Sequence, residues 1–102
     1  MKHILVRYRV KKDKVDEAEK AVHAFIHAVQ SEGETSSYEA FREPDGVTFL
    51  HFMSFRDDEA ERQHREASHT KAFTQALYPL CDEEPVFTEL SLIDWTRYAP
   101  GS

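Results

Sequence analysis

A chain of 102 residues with one cysteine, three glycines and one tryptophan lacks the raw material for several kinds of function. Cys81 alone can build neither an internal disulfide framework nor a Cys-x-x-Cys pair, and the expected setting is a reducing one, the cytoplasm. Three glycines are too few for a phosphate-cradling loop, and no nucleophile elbow of the Gly-x-Ser-x-Gly type occurs. No apolar run approaches the ~20 residues of a membrane helix. The opening MKHILVRYRVKK meets arginine before a signal-peptide core could form. Positive charge is also short: 13 Lys and Arg face 19 Asp and Glu, a formal net charge of −6. The cations are scattered, which argues against nucleic acid or an anionic membrane as the main partner.

What the chain does have is 40% hydrophobic residues, with seven Phe and four Tyr. A protein of this size buries roughly 60–70% of its unfolded surface, enough for one core and one small pocket. Residues 1–95 are expected to form a single domain, with 96–102 as a tail.

Periodicity supplies the elements. Ile4, Val6, Tyr8 and Val10 alternate with His3, Leu5, Arg7 and Arg9, the period of a strand. Asp13 is a plausible N-cap for an amphipathic helix over Val15 to Glu32, with Val15, Ala18, Val22, Phe25, Ile26 and Val29 on one face and Gly33 as its stop. Ser36 to Arg42 reads as a second strand, EPDG at 43–46 as a turn, and Val47 to Phe55 as a third strand, together a hairpin. Asp58 and Glu61 have capping-box spacing and open a helix that is expected to break near Ser68, resume through Phe73, Ala76 and Leu77, and end at Pro79. Cys81 to Pro85 is expected as a loop and Val86 to Trp95 as a fourth strand. Trp95 is expected to pack at a dimer edge or over the end of the sheet.

The order β-α-β-β-α-β is that of a ferredoxin-like α+β fold, one antiparallel sheet with both helical segments on one face. The third strand, TFLHFMSF, is apolar on both faces: Phe49, Met53 and Phe55 on one, Leu50 and Phe52 on the other. Its outer face needs a cover, and a second copy of the chain is the economical one, a homodimer through the sheet face.

That order, together with SYEAFREPDGVTFLHFMSFRDDEAERQHREASHTKAF, resembles the antibiotic biosynthesis monooxygenase superfamily of dimeric α/β barrels. Tyr38, Thr48, Phe49, Phe55, Asp57, His64, Ser68, His69 and Phe73 stand at the positions that carry the likeness. CDEEPVFTEL is similar to a subgroup of small members without a settled activity. The resemblance implies oxidation of a phenol-like or quinol substrate by O2 without metal or flavin, in a pocket between sheet and helices. Heme-degrading relatives use Asn, Trp and His at places that here look like Arg7, His64 and Thr74, so heme degradation is not expected. Antibiotic-pathway members pair Asn and Trp on the third strand, where this chain has His51 and Phe55.

His51 shares a strand face with Phe49, Met53 and Phe55. It reads either as a pocket base for a phenolic proton or as a core histidine satisfied by a neighbour. His64 and His69 are five apart, a spacing that shares no helix face unless the break brings both toward the sheet. His23 and His27 at i and i+4 read as a solvated helix flank, and Cys81 as an unreactive thiol. The resulting candidates are His51 and His64 as catalytic residues, with Arg7, Tyr38, Phe49, Phe55, His69 and Phe73 contacting a small aromatic ligand. No metal and no cofactor are expected. A non-catalytic small-molecule-binding or structural dimer on the same frame is the competing reading.

Overall fold

In the computed structural model, residues 1–33 and 35–96 are described. Its elements are β1 (Lys2–Val10), α1 (Val15–Val29), β2 (Thr35–Arg42), β3 (Thr48–Phe55), α2 (Asp58–Glu66), α3 (Ser68–Leu77) and β4 (Cys81–Leu90), with 3-10 turns at Lys12–Lys14 and Tyr78–Leu80. The four strands form one open sheet in the order β2-β3-β1-β4, every neighbouring pair antiparallel. This is the ferredoxin-like α+β arrangement, and within one chain the sheet does not close into a barrel.

The alternation of β1 and β3 decides which side the helices cover. Val6, Tyr8, Val10, Phe49, Met53 and Phe55 pack with Ala18, Val22, Phe25 and Val29 of α1, Ala60 of α2, and Phe73 and Leu77 of α3 in one buried cluster. The register sets Val6 opposite His51 and Tyr8 opposite Phe49. On the other strand flank Ala40 faces His51 and Tyr38 faces Met53. Two small residues therefore flank His51 directly, and the two tyrosines reach it along the diagonals.

Among the described residues no helix covers the opposite face. Leu5 lies across from Phe52, while Leu50 lies between Arg7 and Phe41. Phe41, Val86 and Leu90 remain exposed. The doubly apolar pattern of β3 thus has one face in the core and one on this patch.

Several boundaries differ from the sequence reading, each for a local reason. α1 ends at Val29, because Ser31 and Glu32 turn to i−3 carbonyls and tighten the last turn. Asp13 lies within a 3-10 turn and caps nothing; α1 begins behind Lys14 without a side-chain cap. The cap of α2 is Asp57 and not Asp58, its carboxylate accepting the Ala60 N–H at 2.9 Å. The helical break falls at Ala67, whose ψ of 145° is extended; the His64 carbonyl accepts the Ala67 N–H at 3.2 Å and the Thr70 hydroxyl at 2.6 Å.

β4 is the largest correction, since it starts at Cys81 and ends at Leu90. It pairs with β1 from Val10 opposite Cys81 to His3 opposite Leu90, so it stops beside the first residues of that strand, its one partner among the described residues. Pro85 sits where the register shifts between Arg7 and Arg9, a place on an edge strand that needs no N–H donor. Residues 91–96 have no regular structure, and Trp95 is exposed. All but the first residue of the expected tail, 97–102, lie outside the described residues. Among the described residues no helix is long and apolar enough to cross a membrane.

Candidate functional site

His51 is 1% exposed, yet both ring nitrogens are engaged. Tyr8 Oη lies 2.8 Å from Nε2, and Tyr38 Oη lies 2.7 Å from Nδ1. Burial pushes the imidazole down to about 4, so the ring is neutral near pH 7. In a neutral ring one nitrogen donates and the other accepts. One tyrosine therefore gives its hydroxyl proton to the ring while the other receives a hydrogen bond from it. Burial also raises both tyrosine hydroxyls well above their usual value, which keeps them protonated.

This Tyr8–His51–Tyr38 chain forms part of the wall of a cavity of about 570 Å³ between the sheet and the α2–α3 segment. Ile4, Val6, Met53, Phe73 and Leu77 make its walls apolar, and Phe87 of β4 borders it. Lys2, Glu61 and Arg65 are charged residues on the same lining, joined by Lys2 to Glu61 at 3.3 Å and Arg65 to Glu61 at 2.8 Å. The arrangement combines a dry interior with a few convergent polar groups, the usual make-up of a small-molecule site.

A second polar cluster adjoins it. His64 lines the cavity, but its Nδ1 turns to Glu32, 2.9 Å from Oε2 and 3.1 Å from Oε1. The Thr35 hydroxyl donates to Glu32 Oε2 at 2.9 Å. His69 Nε2 stands 3.1 Å from Oε1 of the same carboxylate. Burial works to raise Glu32, but the hydrogen bonds from His64 and Thr35 and the nearby imidazoles outweigh it and hold the carboxyl below its ordinary value. The break at Ala67 is what lets residues five apart converge: His64 lies in the last turn of α2 and His69 in the first turn of α3.

Of the candidate residues, the structure gathers His51, Tyr38, His64 and Phe73 at the cavity. Phe49 stacks on Tyr8 with ring centroids 5.5 Å apart, and Phe55 packs against the His64 ring at 5.2 Å, so both back the lining from the core. His69 reaches Glu32 from α3. Arg7 does not join them. Adjacent to Val6 on a strand, it projects from the outer face and pairs with Glu43 at 3.0 Å. His23 and His27 are exposed on α1. Cys81 is half-buried, its thiol raised mainly by burial and directed to the Leu77 carbonyl.

Three residues of these clusters, Tyr8, Glu32 and Thr35, escaped the sequence reading. Tyr8 occupies an inward position of β1 by simple alternation, but only the strand register reveals that it reaches His51. Glu32 reads as the end of a helix, and its two histidine partners lie 32 and 37 positions further on.

The family model described as antibiotic biosynthesis monooxygenase matches residues 1–76. No curated protein sequence gives a significant match. Among solved structures, an antibiotic biosynthesis monooxygenase is similar with a TM-score of 0.87 at 12% identity, over 92% of this chain and 100% of that one. Rv0793 from Mycobacterium tuberculosis gives 0.86 at 20% identity, over 94% and 98%. A conserved protein from Methanosarcina mazei Go1 gives 0.83 at 19% identity, over 87% and 89%. At these identities the structural likeness speaks for the fold alone. The sequence match over most of the chain goes further: the protein belongs to the antibiotic biosynthesis monooxygenase family.

Proposed function

We propose that this protein is a monooxygenase that works without metal or flavin, oxidising a small aromatic or quinol-type substrate with O2 in the cavity between sheet and helices. The observation that carries the reading is the Tyr8–His51–Tyr38 chain on the wall of an apolar cavity large enough for a small aromatic ring system. A quinol can supply every electron the reaction needs. Quinol plus O2 gives a hydroxyquinone plus water: one oxygen atom enters a ring C–H position and the other leaves as water. Of the four electrons that O2 takes up, two come from hydroxylating the ring and two from turning the quinol into the quinone.

The protein's part is to move a proton and exclude water. A substrate hydroxyl bonded to one tyrosine oxygen passes its proton there as that tyrosine passes its own to His51. The far ring nitrogen keeps its own proton, hydrogen-bonded to the oxygen of the second, already protonated tyrosine. The imidazolium so formed is balanced by the substrate phenolate, so the buried site carries no net charge, and the ring becomes neutral again when the proton returns. The phenolate left behind is the electron-rich species that reduces O2. His64, with Nδ1 anchored on Glu32, offers its other nitrogen to the substrate oxygen. Phe73, Leu77 and Met53 keep the site dry, with Phe49 and Phe55 behind them.

The test is oxygen uptake with a panel of quinols, expected at one O2 per quinol and reduced on the order of a hundredfold or more in His51→Gln, as for loss of a proton-transfer group. Uptake unchanged in that variant would remove His51 from the mechanism. A binding protein without catalysis is favoured by one observation, that His51 is already satisfied on both sides by the protein's own hydroxyls. A ligand-induced rise in melting temperature with no oxygen uptake would select that reading.

We also propose that the outer sheet face is a homodimer interface. Leu5, Phe41, Leu50, Phe52 and Val86 form an apolar surface that spans all four strands. The dimeric habit of the family supports a second copy as its cover.

A further inference from the structure

The geometry points to a divalent transition-metal site formed by Glu32, His64 and His69, distinct from the Tyr8–His51–Tyr38 chain and sharing only His64 with the reaction proposed above. The three side chains come from the turn after α1, the end of α2 and the start of α3. Their ligand atoms, a carboxylate oxygen, His64 Nδ1 and His69 Nε2, all lie within 4.8 Å of one another. The two imidazole–carboxylate separations are 2.9 and 3.1 Å. Metal–nitrogen and metal–oxygen bonds of about 2.1 Å at tetrahedral angles place neighbouring ligand atoms about 3.4 Å apart, so small side-chain rotations suffice to admit a cation.

Three further observations favour a cation over a self-sufficient polar cluster. The Glu32 and His64 side chains are only 10% and 7% exposed, and a buried carboxylate needs a compensating positive charge. His69 Nε2 is buried and close to Glu32 Oε1, yet its approach is misaligned for a hydrogen bond, leaving it without a hydrogen-bond partner among the described residues. A lone pair aimed at a shared centre, and not an N–H aimed at an oxygen, accounts for that misalignment. The donor set is two imidazoles and one carboxylate, which suits zinc and its neighbours better than calcium or magnesium. Thr35, donating to Glu32 Oε2 at 2.9 Å, is the outer partner that orients the carboxylate.

Such a cation would tie three segments together beside the cavity. It would also set the proton on His64: with Nδ1 bound to metal, the ring must carry its proton on Nε2 and becomes a donor. The competing zinc ligands on this chain are His23 and His27, exposed at i and i+4 on α1. The test must separate the two pairs.

Calorimetric titration with zinc, and cobalt absorbance in the visible range, read occupancy without reference to activity. One equivalent is expected to bind the wild-type chain and to raise its melting temperature, with cobalt giving the intense bands of a low-coordinate site. Glu32→Gln and His69→Ala should each weaken binding by roughly 10–100-fold or more, since loss of even an outer-shell partner has that effect. The His23→Ala/His27→Ala double variant should bind like wild type. His69 is a quarter exposed and its removal leaves the Glu32–His64 and Glu32–Thr35 hydrogen bonds in place, so that variant is expected to fold. Absence of binding to the wild type, equal affinity in Glu32→Gln and His69→Ala, or loss of binding in the double variant would each overturn the site.

Discussion

His51 is held by two hydroxyls that a linear reading cannot pair with it. Its place on the inward face of β3 follows from alternation alone, as does its apolar company. Tyr8 and Tyr38 are 43 and 13 residues away, and they reach it only because the register sets Val6 and Ala40 directly opposite. Removing either hydroxyl leaves one buried ring nitrogen without a partner. Tyr8→Phe and Tyr38→Phe are therefore each expected to destabilise the fold by about 1–3 kcal/mol, read from the urea midpoint. The same burial makes stability depend on pH. Folded His51 stays neutral down to about pH 4, whereas the unfolded imidazole takes up a proton from its ordinary value of 6.5. Between those two values the unfolded state binds more protons, so stability falls as pH drops through that window and levels off below it. The gap is worth roughly 3 kcal/mol. Glu32, held below its ordinary value of 4.5, acts later: its contribution is complete above that value and fades as pH falls through the lower folded one. Urea midpoints measured from pH 7 to 4 should decline in the wild type, and His51→Gln should remove most of the decline above pH 4.5. Arg7 shows the reverse error of reading. Its alternation with Val6 already assigned it to the outer face, and only an assumed pocket there could have made it a substrate contact.

At the scale of elements, the amphipathic helix, the hairpin and the order of strands were all legible, because each has a strong period or a turn signal. Ends were less so. Which of Asp57 and Asp58 caps α2 depends on backbone angles, not on residue type, since both are acidic. β4 was displaced because Cys81 to Pro85 was expected as a loop, whereas the edge position and register shift accommodate Pro85 within a strand. The break at Ala67 was legible to within a residue, but its purpose was not. It turns His64 and His69 toward one carboxylate and lets α3 bring Phe73 and Leu77 to the core. Leu77 is 2% exposed and anchors the end of α3. Leu77→Ala is expected to cost about 2–5 kcal/mol, by lost burial and the cavity it leaves, checked by denaturant unfolding. Asp57→Ala should lower the same midpoint by a smaller amount by freeing the Ala60 N–H.

For the whole molecule, the two-faced character of β3 is the feature from which assembly is argued. Phe52→Glu places a charge in the centre of the outer apolar surface without touching the helical side. It is expected to shift the protein from dimer to monomer in sedimentation at micromolar concentration; a wild-type monomer at that concentration would remove the dimer itself. A last consequence concerns the hydroxyl–imidazole–hydroxyl chain as a proton store. A proton that enters through one tyrosine reverses the bond between that hydroxyl and the ring and stops on the imidazole, because the second hydroxyl already holds its own proton. A second proton cannot follow until the first has left. Such a store empties by the way it filled. Quinol plus O2 giving hydroxyquinone plus water consumes and releases no net protons, so a proton withdrawn at the start can return before the product leaves, and the chain is then ready for the next turnover.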